Sequence, residues 1–331
     1  YTTLFRSPAL AVGQWIASHQ PTFSIEFIGT EHGIEKDLVP KAGFPLRCIA
    51  KVPLPRTLNF AALSFPFRFV TSLIQAMRII SGSQLVIGFG GYVSASAYVA
   101  ARILRVPIII HEANALPGWS NRLGAKFAAH IAVAFPSVPR TFPGWKNARI
   151  TGMPIRKSIF ELSSKSPKEE LPKRADILKS LGFTPDLPVV LVFGGSQGAQ
   201  SINGTIAQCL SSGVFDGITV IHAVGMKNEF PAEASLTYRP YAYLDRMDLA
   251  YAAADFVISR SGAMTVAEIS AVGLPACFVP FPIGNGEQSL NALPVVNAQG
   301  AVIVPDQGFN ADYVREVIMP IVHSPNMLST M

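Results

Sequence analysis

A short polar turn between an apolar segment and a helix-forming segment carries the residues best suited to chemistry. The run Phe256–Ile258 predicts a strand, the turn Ser261–Thr265 leads into a helix predicted over Ala263–Val272, and Ala276–Phe281 predicts the next strand. In a parallel sheet such a turn lies at the carboxyl end of a strand, where a helix start presents unpaired N–H groups and the positive end of its dipole. This arrangement favours a diphosphate ligand. Glu268, about one helical turn further on, could accept hydrogen bonds from a sugar diol attached to that diphosphate.

The same segment has a second interpretation. Thr265 and Glu268 form the pattern T-x-x-E, which is also the signature of a capping box at the start of a helix. The local sequence leaves both interpretations open. The segment Gly284–Gln288 begins a further predicted helix, which would place Gln288 close to the same edge as Glu268.

Two more glycine-rich turns follow apolar runs. Gly194–Ala199 follows the predicted strand Val189–Phe193 and suits an anion or a ligand that approaches the backbone closely. It lacks the Gly-Lys-Ser/Thr of a phosphate-binding P-loop. Gly88–Gly90 in the first half is a weak match to a nicotinamide dinucleotide site, because the third glycine is out of place and the next acid, Glu112, stands at the end of another predicted strand.

A polar cluster follows the predicted strand Pro107–Ile110. His111, Glu112 and Asn114 would lie at the carboxyl edge of that strand, where ligands of α/β proteins bind. These side chains are either catalytic or order the loop that follows them.

Composition narrows the class of protein. The 331 residues suffice for two domains, and a content of 49% hydrophobic and 15% charged residues argues against disorder. The three cysteines lie far apart without a C-x-x-C motif, which is typical of a reducing compartment without a zinc site. The six histidines form no H-x-x-x-H or H-E-x-x-H pair, so no metal is expected.

The charge is distributed unevenly. Residues 1–155 carry 15 Lys and Arg against 5 Asp and Glu, whereas residues 156–331 carry 12 against 16. A basic half beside an acidic half predicts that one domain faces a polyanion, either an anionic membrane or nucleic acid.

The segment Thr57–Ile80 helps to distinguish between an anionic membrane and nucleic acid as the partner. It combines the aromatic residues Phe60, Phe65, Phe67 and Phe69 with the cations Arg56, Arg68 and Arg78. Polar residues interrupt it, so a transmembrane helix is not predicted. It is either a surface that enters a membrane interface or a core helix whose arginines extend to solvent, and the charge asymmetry favours an anionic membrane surface. Basic residues interleaved with Phe and Leu do not indicate a nucleic-acid partner.

The segment Ile150–Arg156 marks a domain boundary, because a strand end and a Gly-Met-Pro turn precede polar sequence. Each half repeats strands, glycine turns and helices. The predicted fold class is therefore α/β, with two facing Rossmann-like domains, residues 1–156 and 157–331, and an interdomain cleft.

Seven segments together resemble the peptidoglycan glycosyltransferase family that adds N-acetylglucosamine (GlcNAc) from UDP-GlcNAc to lipid I, the undecaprenyl-diphospho-MurNAc-pentapeptide. They are PALAV (8–12), GFGGYVS (88–94), HEANALPGWSN (111–121), TGMPIR (151–156), GGSQGA (194–199), SRSGAMTVAEISAVGLPACFVPF (259–281) and EQSLNA (287–292). The resemblance implies a GT-B fold, an inverting transfer to the C4 hydroxyl of MurNAc that forms lipid II, and no cofactor. It also implies a peripheral location at the cytoplasmic face of the bacterial cell membrane. Residues 1–156 would bind lipid I and the membrane, and residues 157–331 would bind the donor.

By position, the resemblance assigns donor binding to a set of residues spread over the chain. They are Asn114, Arg156, Ser196, Leu244, Ala263, Met264, Thr265, Val266, Ala267, Glu268 and Gln288. It implies that Leu244 contacts the uracil, Glu268 takes the ribose hydroxyls and Gln288 reads GlcNAc hydroxyls. Arg156, Ser196 and the amides of residues 263–265 would hold the diphosphate, so that N–H donors and one arginine replace a cation.

The family begins with a glycine-rich loop, G-G-T-x-G-H-x-x-P, that the residues before Pro8 do not match. The histidine of that loop is the family's leading candidate for the general base. The base is therefore expected to be His111 or Glu112. Without the loop, the alternative function is a UDP-sugar-binding module that is catalytically inert.

Overall fold

The computed structural model describes residues 6–31, 33, 35–52, 60–163, 173–184, 187–195, 197–283 and 285–331. The chain forms two compact units, Tyr1–Arg156 and Lys157–Met331. All strand pairs among the described residues are parallel. Parallel strands need crossover connections, which are usually helices. The α/β class predicted from alternating apolar runs and helical segments is therefore confirmed.

The N-terminal unit alternates helices and short strands. In chain order its elements are α1 (Arg6–His19), β1 (Phe27–Gly29), α2 (Glu35–Lys41), β2 (Leu46–Cys48), α3 (Phe60–Ile80), β3 (Val86–Gly88), α4 (Tyr92–Ile103), β4 (Ile108–Glu112), α5 (Trp119–Gly124), β5 (His130–Val133), α6 (Ser137–Thr141), a 3₁₀ turn (Pro143–Trp145) and β6 (Arg149–Ile150). β1 pairs with β2, and a separate four-stranded sheet has the order β3-β4-β5-β6.

A buried tyrosine organises the core of this unit. Tyr98 on α4 is fully buried, and its hydroxyl donates a hydrogen bond to Oδ1 of Asn121 at 2.7 Å. A Cβ atom on Gly88 or Gly124 would overlap the Tyr98 ring. Both glycines are therefore needed for packing around this ring.

The C-terminal unit has a larger sheet. Its elements are α7 (Lys157–Ser163), α8 (Arg174–Ser180), β7 (Val189–Phe193), α9 (Gln200–Ser211), β8 (Thr219–Ala223), β9 (Tyr238–Tyr241), α10 (Met247–Ala253), β10 (Phe256–Ser259), α11 (Ala263–Val272), β11 (Ala276–Phe278), α12 (Glu287–Asn297), β12 (Ala301–Ile303), a 3₁₀ turn (Asp306–Gly308), α13 (Ala311–Tyr313), a π-helical segment (Val314–Ile318), α14 (Met319–Val322) and α15 (Pro325–Thr330).

The six strands of this unit have the order β12-β11-β10-β7-β8-β9. Every residue of β7, β8 and β10 is buried, as expected for strands covered by helices on both faces. Val257 on β10 pairs with Leu191 on β7 and with Ala276 on β11. The turns that follow β7, β10 and β11 therefore lie side by side along one edge of the sheet.

Two predicted elements have the predicted limits. The helix Ala263–Val272 and the strand Val189–Phe193 are observed as predicted. In the N-terminal unit, Gly90 and Gly91 adopt positive φ angles of 88° and 87° and turn the chain directly into α4.

Three predicted strand limits are wrong. The strand predicted over Phe256–Ile258 continues one residue further, to Ser259, as β10. The strand predicted over Pro107–Ile110 starts one residue later and continues two residues further, as β4. The strand predicted over Ala276–Phe281 ends at β11, two residues before Pro280.

The segment Thr57–Ile80 forms α3 from Phe60 onwards. Within the described part of the chain, no helix combines the length and the apolar character needed to cross a membrane.

Candidate active site

The turn after β10 leads directly into α11. Gly262 is the N-cap residue of this helix, no side chain caps it, and Ala263 is its first residue. Thr265 therefore lies inside the first helical turn, and the capping-box interpretation of Thr265 and Glu268 is wrong. The first three amide groups of α11 belong to a helix start, which attracts anions. The Ser261 hydroxyl beside them is buried and has no hydrogen-bond partner among the described residues.

Glu268 lies on α11 just beyond this first turn and is only 4% exposed. The hydroxyl of Tyr251 on α10 donates a hydrogen bond to its Oε2 atom at 3.3 Å. The ring of Phe193, the last residue of β7, meets the Tyr251 ring edge-on, with 6.1 Å between the ring centroids. Oε2 thus accepts a hydrogen bond from Tyr251, and a carboxylate has the capacity to accept several hydrogen bonds from hydroxyl groups.

Helix α12 contributes two amide side chains to the same edge. Asn291 is fully buried and donates from Nδ2 to the Ser261 carbonyl at 3.3 Å. The Oε1 atom of Gln288 accepts a hydrogen bond from the Phe281 N–H at 3.0 Å. These bonds join α12 to the chain just after β10 and β11. The contact of Gln288 with a sugar stays a prediction.

Arg260 is a residue of this edge that sequence reasoning missed. Its guanidinium forms an ion pair with Asp306, donates to the Ser201 hydroxyl at 2.9 Å, and donates to the carbonyls of Val279 and Pro280 at 3.1 and 3.2 Å. One side chain therefore ties the end of β10 to the chain after β11, to α9 and to the 3₁₀ turn. An arginine directly after a buried strand was the available signal, but its partners are distant in sequence.

The glycine-rich turn after β7 is anchored to the chain that follows β8. Gly198 has a positive φ of 74°, and a Cβ atom there would collide with the Val224 carbonyl. Asn228 donates from Nδ2 to the carbonyls of Gln197 and Val224, both at 2.9 Å. Gln197 and Gly198 are therefore held against the chain that follows β8. Ser196, the predicted ligand of the diphosphate in this turn, lies outside the described residues.

A buried polar network contacts the same Val224 carbonyl. His222 on β8 has one ring nitrogen 3.1 Å from Oδ1 of Asn203 and the other 3.2 Å from the Tyr238 hydroxyl. Asn203 on α9 also donates to the Val224 carbonyl at 3.0 Å. Burial lowers the pKa of His222 to about 4, so the imidazole is neutral at physiological pH.

The remaining predicted donor residues occupy different places. Leu244 is 9% exposed and lies in the loop between β9 and α10. Arg156 is half-buried and directly precedes α7. The structure thus brings the residues of α11 and Gln288 to one edge of the C-terminal sheet, whereas Asn114 and Arg156 belong to the N-terminal unit. In the described part of the chain, no three His, Cys, Asp or Glu side chains converge as metal ligands would.

Glu112 lies on β4 and orders the loop that follows. It is fully buried, and its two oxygens accept hydrogen bonds from the backbone N–H groups of Asn114 at 2.9 Å and Gly118 at 3.0 Å and from Nδ2 of Asn121 at 2.9 Å. Burial raises the pKa of Glu112, and these hydrogen bonds oppose the rise. With both oxygens engaged, the loop-ordering interpretation accounts for Glu112.

His111, its neighbour on β4, has a different environment. It is 5% exposed, and Nε2 lies 2.9 Å from the Gly152 carbonyl. A carbonyl only accepts, so Nε2 carries the proton and Nδ1 carries the lone pair. Burial lowers the pKa of His111, which favours the neutral imidazole. Nδ1 is buried and has no hydrogen-bond partner within the described residues.

Known proteins share this architecture and much of the sequence. The glycosyltransferase family 28 N-terminal domain matches residues 7–133, and the family 28 C-terminal domain matches residues 189–331. A UDP-N-acetylglucosamine--N-acetylmuramyl-(pentapeptide) pyrophosphoryl-undecaprenol N-acetylglucosamine transferase from Mycolicibacterium vanbaalenii is 43% identical over 98% of this chain and 80% of its own length. Its namesake from Streptomyces coelicolor is 44% identical over 98% of this chain and 88% of its own. The crystal structure of Acinetobacter baumannii MurG matches with a TM-score of 0.73 at 25% identity, over 100% of this chain and 90% of that one.

The parallel sheets of the two units and these matches define a glycosyltransferase of the GT-B fold. At 43% and 44% identity over nearly its whole length, the chain belongs to the family of UDP-N-acetylglucosamine--N-acetylmuramyl-(pentapeptide) pyrophosphoryl-undecaprenol N-acetylglucosamine transferases. The family and the GT-B fold predicted from the seven segments are confirmed. The comparisons give no support to a catalytically inert module.

Replacing His222 with Gln is expected to flatten the dependence of stability on pH. The unfolded chain protonates this histidine near pH 6.5, whereas the folded chain does so only near pH 4, so acid favours unfolding within that window. The contribution of the neutral His222 is complete above pH 6.5. It falls by about 1.4 kcal/mol per pH unit below that value. Urea unfolding followed by circular dichroism across the window measures the slope.

The matched control for this experiment is His323→Gln, a change at an exposed position of the same unit. It should leave the slope of the wild-type protein unchanged. Equal slopes for His222→Gln and wild type would contradict the buried, neutral state of His222.

Proposed function

We propose that this chain transfers GlcNAc from UDP-GlcNAc to the C4 hydroxyl of MurNAc in lipid I, which forms lipid II. The observation that carries the proposal is the junction of β10 and α11, where an uncapped helix start suits a diphosphate and the buried carboxylate of Glu268 suits a ribose diol. The transferase name borne by the relatives supplies the donor and the acceptor. The C-terminal unit binds the donor, and the N-terminal unit binds lipid I.

The donor residues divide by the part of UDP-GlcNAc that they contact. Leu244 packs against the uracil, Glu268 takes the ribose hydroxyls, and Gln288 reads GlcNAc. Asn114 also contributes to donor binding. Arg156, Ser196 and the first amides of α11 hold the diphosphate.

The reaction is a displacement at the anomeric carbon. The C4 oxygen of MurNAc forms the new bond, the bond from the anomeric carbon to the diphosphate oxygen breaks, and UDP leaves with the electron pair. Inversion follows from attack on the opposite face. Negative charge grows on the diphosphate in the transition state, so helix amides and Arg156 stabilise it more strongly there than in the ground state.

The proton of the acceptor hydroxyl requires a base, and His111 is the proposed one. Its imidazole is held neutral by burial, and a neutral imidazole is the form that accepts a proton. Its Nε2 atom is fixed by the Gly152 carbonyl, which leaves Nδ1 as the basic nitrogen. Glu112 holds the neighbouring loop in place and does not act as the base.

Replacing Glu268 with Ala is expected to raise the KM for UDP-GlcNAc at least tenfold, about 1.4 kcal/mol, because two ribose hydroxyls lose their acceptor. Transfer of radiolabelled GlcNAc to a lipid I analogue measures it. Glu316→Ala, at an exposed position of the same unit, is the control and should behave as wild type. A wild-type protein that binds UDP without any transfer would overturn the proposed function, and an unchanged KM in Glu268→Ala would overturn the ribose assignment.

Replacing His111 with Gln should lower kcat by a factor of about 100 or more, the usual contribution of a general base, and leave the KM for UDP-GlcNAc within about twofold. The same transfer assay gives both constants. His130→Gln, at an exposed position of the neighbouring strand β5, serves as the control. A kcat for His111→Gln within a few-fold of wild type would exclude His111 as the base.

One face of α3 supports peripheral binding to an anionic membrane. Phe67, Val70 and Ile74 are 79%, 51% and 46% exposed and share this face, because they are three and four residues apart. The cations Arg68 and Arg78 are exposed on the same helix. Exposed apolar side chains beside arginines fit the interface of an anionic bilayer. Arg56 and the side chain of Phe60, also part of this prediction, lie outside what the structure describes.

The opposite face of α3 is buried. Ser72, Ala76 and Ile80 are at most 2% exposed, and the Ser72 hydroxyl donates to the Ser96 hydroxyl of α4 at 3.0 Å. The core-helix interpretation therefore accounts for this face but not for the exposed stripe. We assign the stripe to the cytoplasmic leaflet of the bacterial cell membrane.

The double variant Phe67→Ser/Ile74→Ser should bind phosphatidylglycerol vesicles at least about tenfold more weakly, because each lost apolar side chain contributes about 1.5–3 kcal/mol when buried. Vesicle sedimentation measures the partition coefficient. Leu236→Ser, which changes a 79% exposed leucine of the C-terminal unit, is the control. Equal partitioning of the double variant and wild type would exclude this face as the membrane surface.

A further inference from the structure

Tyr251 is a buried residue beside Glu268, and it is not one of the proposed donor ligands. It lies on α10, is 2% exposed, and its hydroxyl donates to Oε2 of Glu268 at 3.3 Å. Its ring packs in a T-shaped arrangement with the ring of Phe193, which ends the central strand β7. The ring thus has a fixed position between the sheet and α11, and the hydroxyl points at the carboxylate.

The position of Tyr251 in the chain links two parts of the nucleoside site. Helix α10 begins three residues after Leu244, the proposed uracil contact, and carries Tyr251 four residues into its length. Its C-terminal end leads directly into β10 and so to α11. One short helix therefore positions both the loop that carries Leu244 and the Tyr251 hydroxyl that contacts Glu268.

We propose that Tyr251 is a positioning residue for recognition of the nucleotide ribose. The proposal rests on the proposed function, in which Glu268 accepts hydrogen bonds from the ribose diol. The Tyr251 hydroxyl occupies one lone-pair site of Oε2 and holds the carboxylate in a single rotamer before the donor arrives. A carboxylate fixed in advance loses less side-chain freedom on binding than one that must be ordered by the ligand.

This role makes a chemical prediction that simple packing does not. The benefit of a fixed carboxylate is realised only when hydroxyl groups are present to bind it. A uridine nucleotide without the 2′ and 3′ hydroxyls gains nothing from Tyr251, whereas UDP does. The Tyr251–Glu268 pair therefore selects for ribonucleotide donors.

The test uses the full chain and isothermal titration calorimetry with UDP and with 2′,3′-dideoxy-UDP. Tyr251→Phe should weaken UDP binding about threefold to tenfold, the range expected for one lost hydrogen bond, and change dideoxy-UDP binding by less than about twofold. In the transfer assay it should raise the KM for UDP-GlcNAc by the same factor with kcat within about twofold. In a Glu268→Ala background, Tyr251→Phe should have no further effect on UDP.

Tyr313→Phe is the control, because it also removes a tyrosine hydroxyl of the C-terminal unit, one that is hydrogen-bonded to the Cys277 thiol instead of Glu268. It should leave the affinity for UDP unchanged, and circular dichroism establishes that each variant is folded. Equal weakening of UDP and dideoxy-UDP by Tyr251→Phe, or an effect that persists without Glu268, would overturn the proposal. If Glu268→Ala weakens UDP selectively and Tyr251→Phe does not, only the positioning role fails. If Glu268→Ala leaves UDP binding intact, the donor assignment fails as well.

Discussion

The parallel pairing of β10 between β7 and β11 is the constraint on which the sheet edge at the start of α11 depends. Because Val257 pairs with Leu191 on one side and Ala276 on the other, the three strands end at nearly the same level. The glycine-rich turn, the start of α11 and the chain before α12 are consequently brought side by side. Arg260, directly after β10, donates hydrogen bonds to the carbonyls of Val279 and Pro280 after β11, which holds the ends of these two strands together.

Buried polar side chains also hold the turns at the ends of the strands in place. Arg260 and Glu112 are both removed from water, and each is surrounded by hydrogen-bond partners from several elements. A buried charge without such partners would be strongly destabilising. These side chains therefore fix the geometry of the turns around them, which is what a site that stabilises a growing charge needs, since its donors must be in place before the reaction.

The glycines of the two units have different physical roles despite similar sequence patterns. Gly88 follows a strand in the N-terminal unit and makes room for the Tyr98 ring, whereas Gly198 allows a turn to approach the Val224 carbonyl with a positive φ. Glycine-rich turns after strands thus indicate a Rossmann-like architecture in both halves. They do not by themselves say which turn binds a phosphate.

Much of this protein was predictable from its sequence, because the signals involved are local. The apolar run Val189–Phe193 and the segment Ala263–Val272 with Gly273 beyond it predicted their elements without error, and the seven family segments predicted the GT-B fold. The position of the backbone amides at the start of α11 was predictable for the same reason, because it follows from the limits of the helix.

The tertiary structure decided which side chains meet. The sequence left open whether Glu268 belonged to a capping box and whether Glu112 ordered the loop that follows it. It gave no indication that Tyr251 would reach Glu268 or that Arg260 would pair with Asp306. These contacts join residues far apart in the chain through the packing of whole helices and strands. Periodicity and turn patterns describe only neighbours along the chain, so contacts of this kind become visible only once the sheet has assembled.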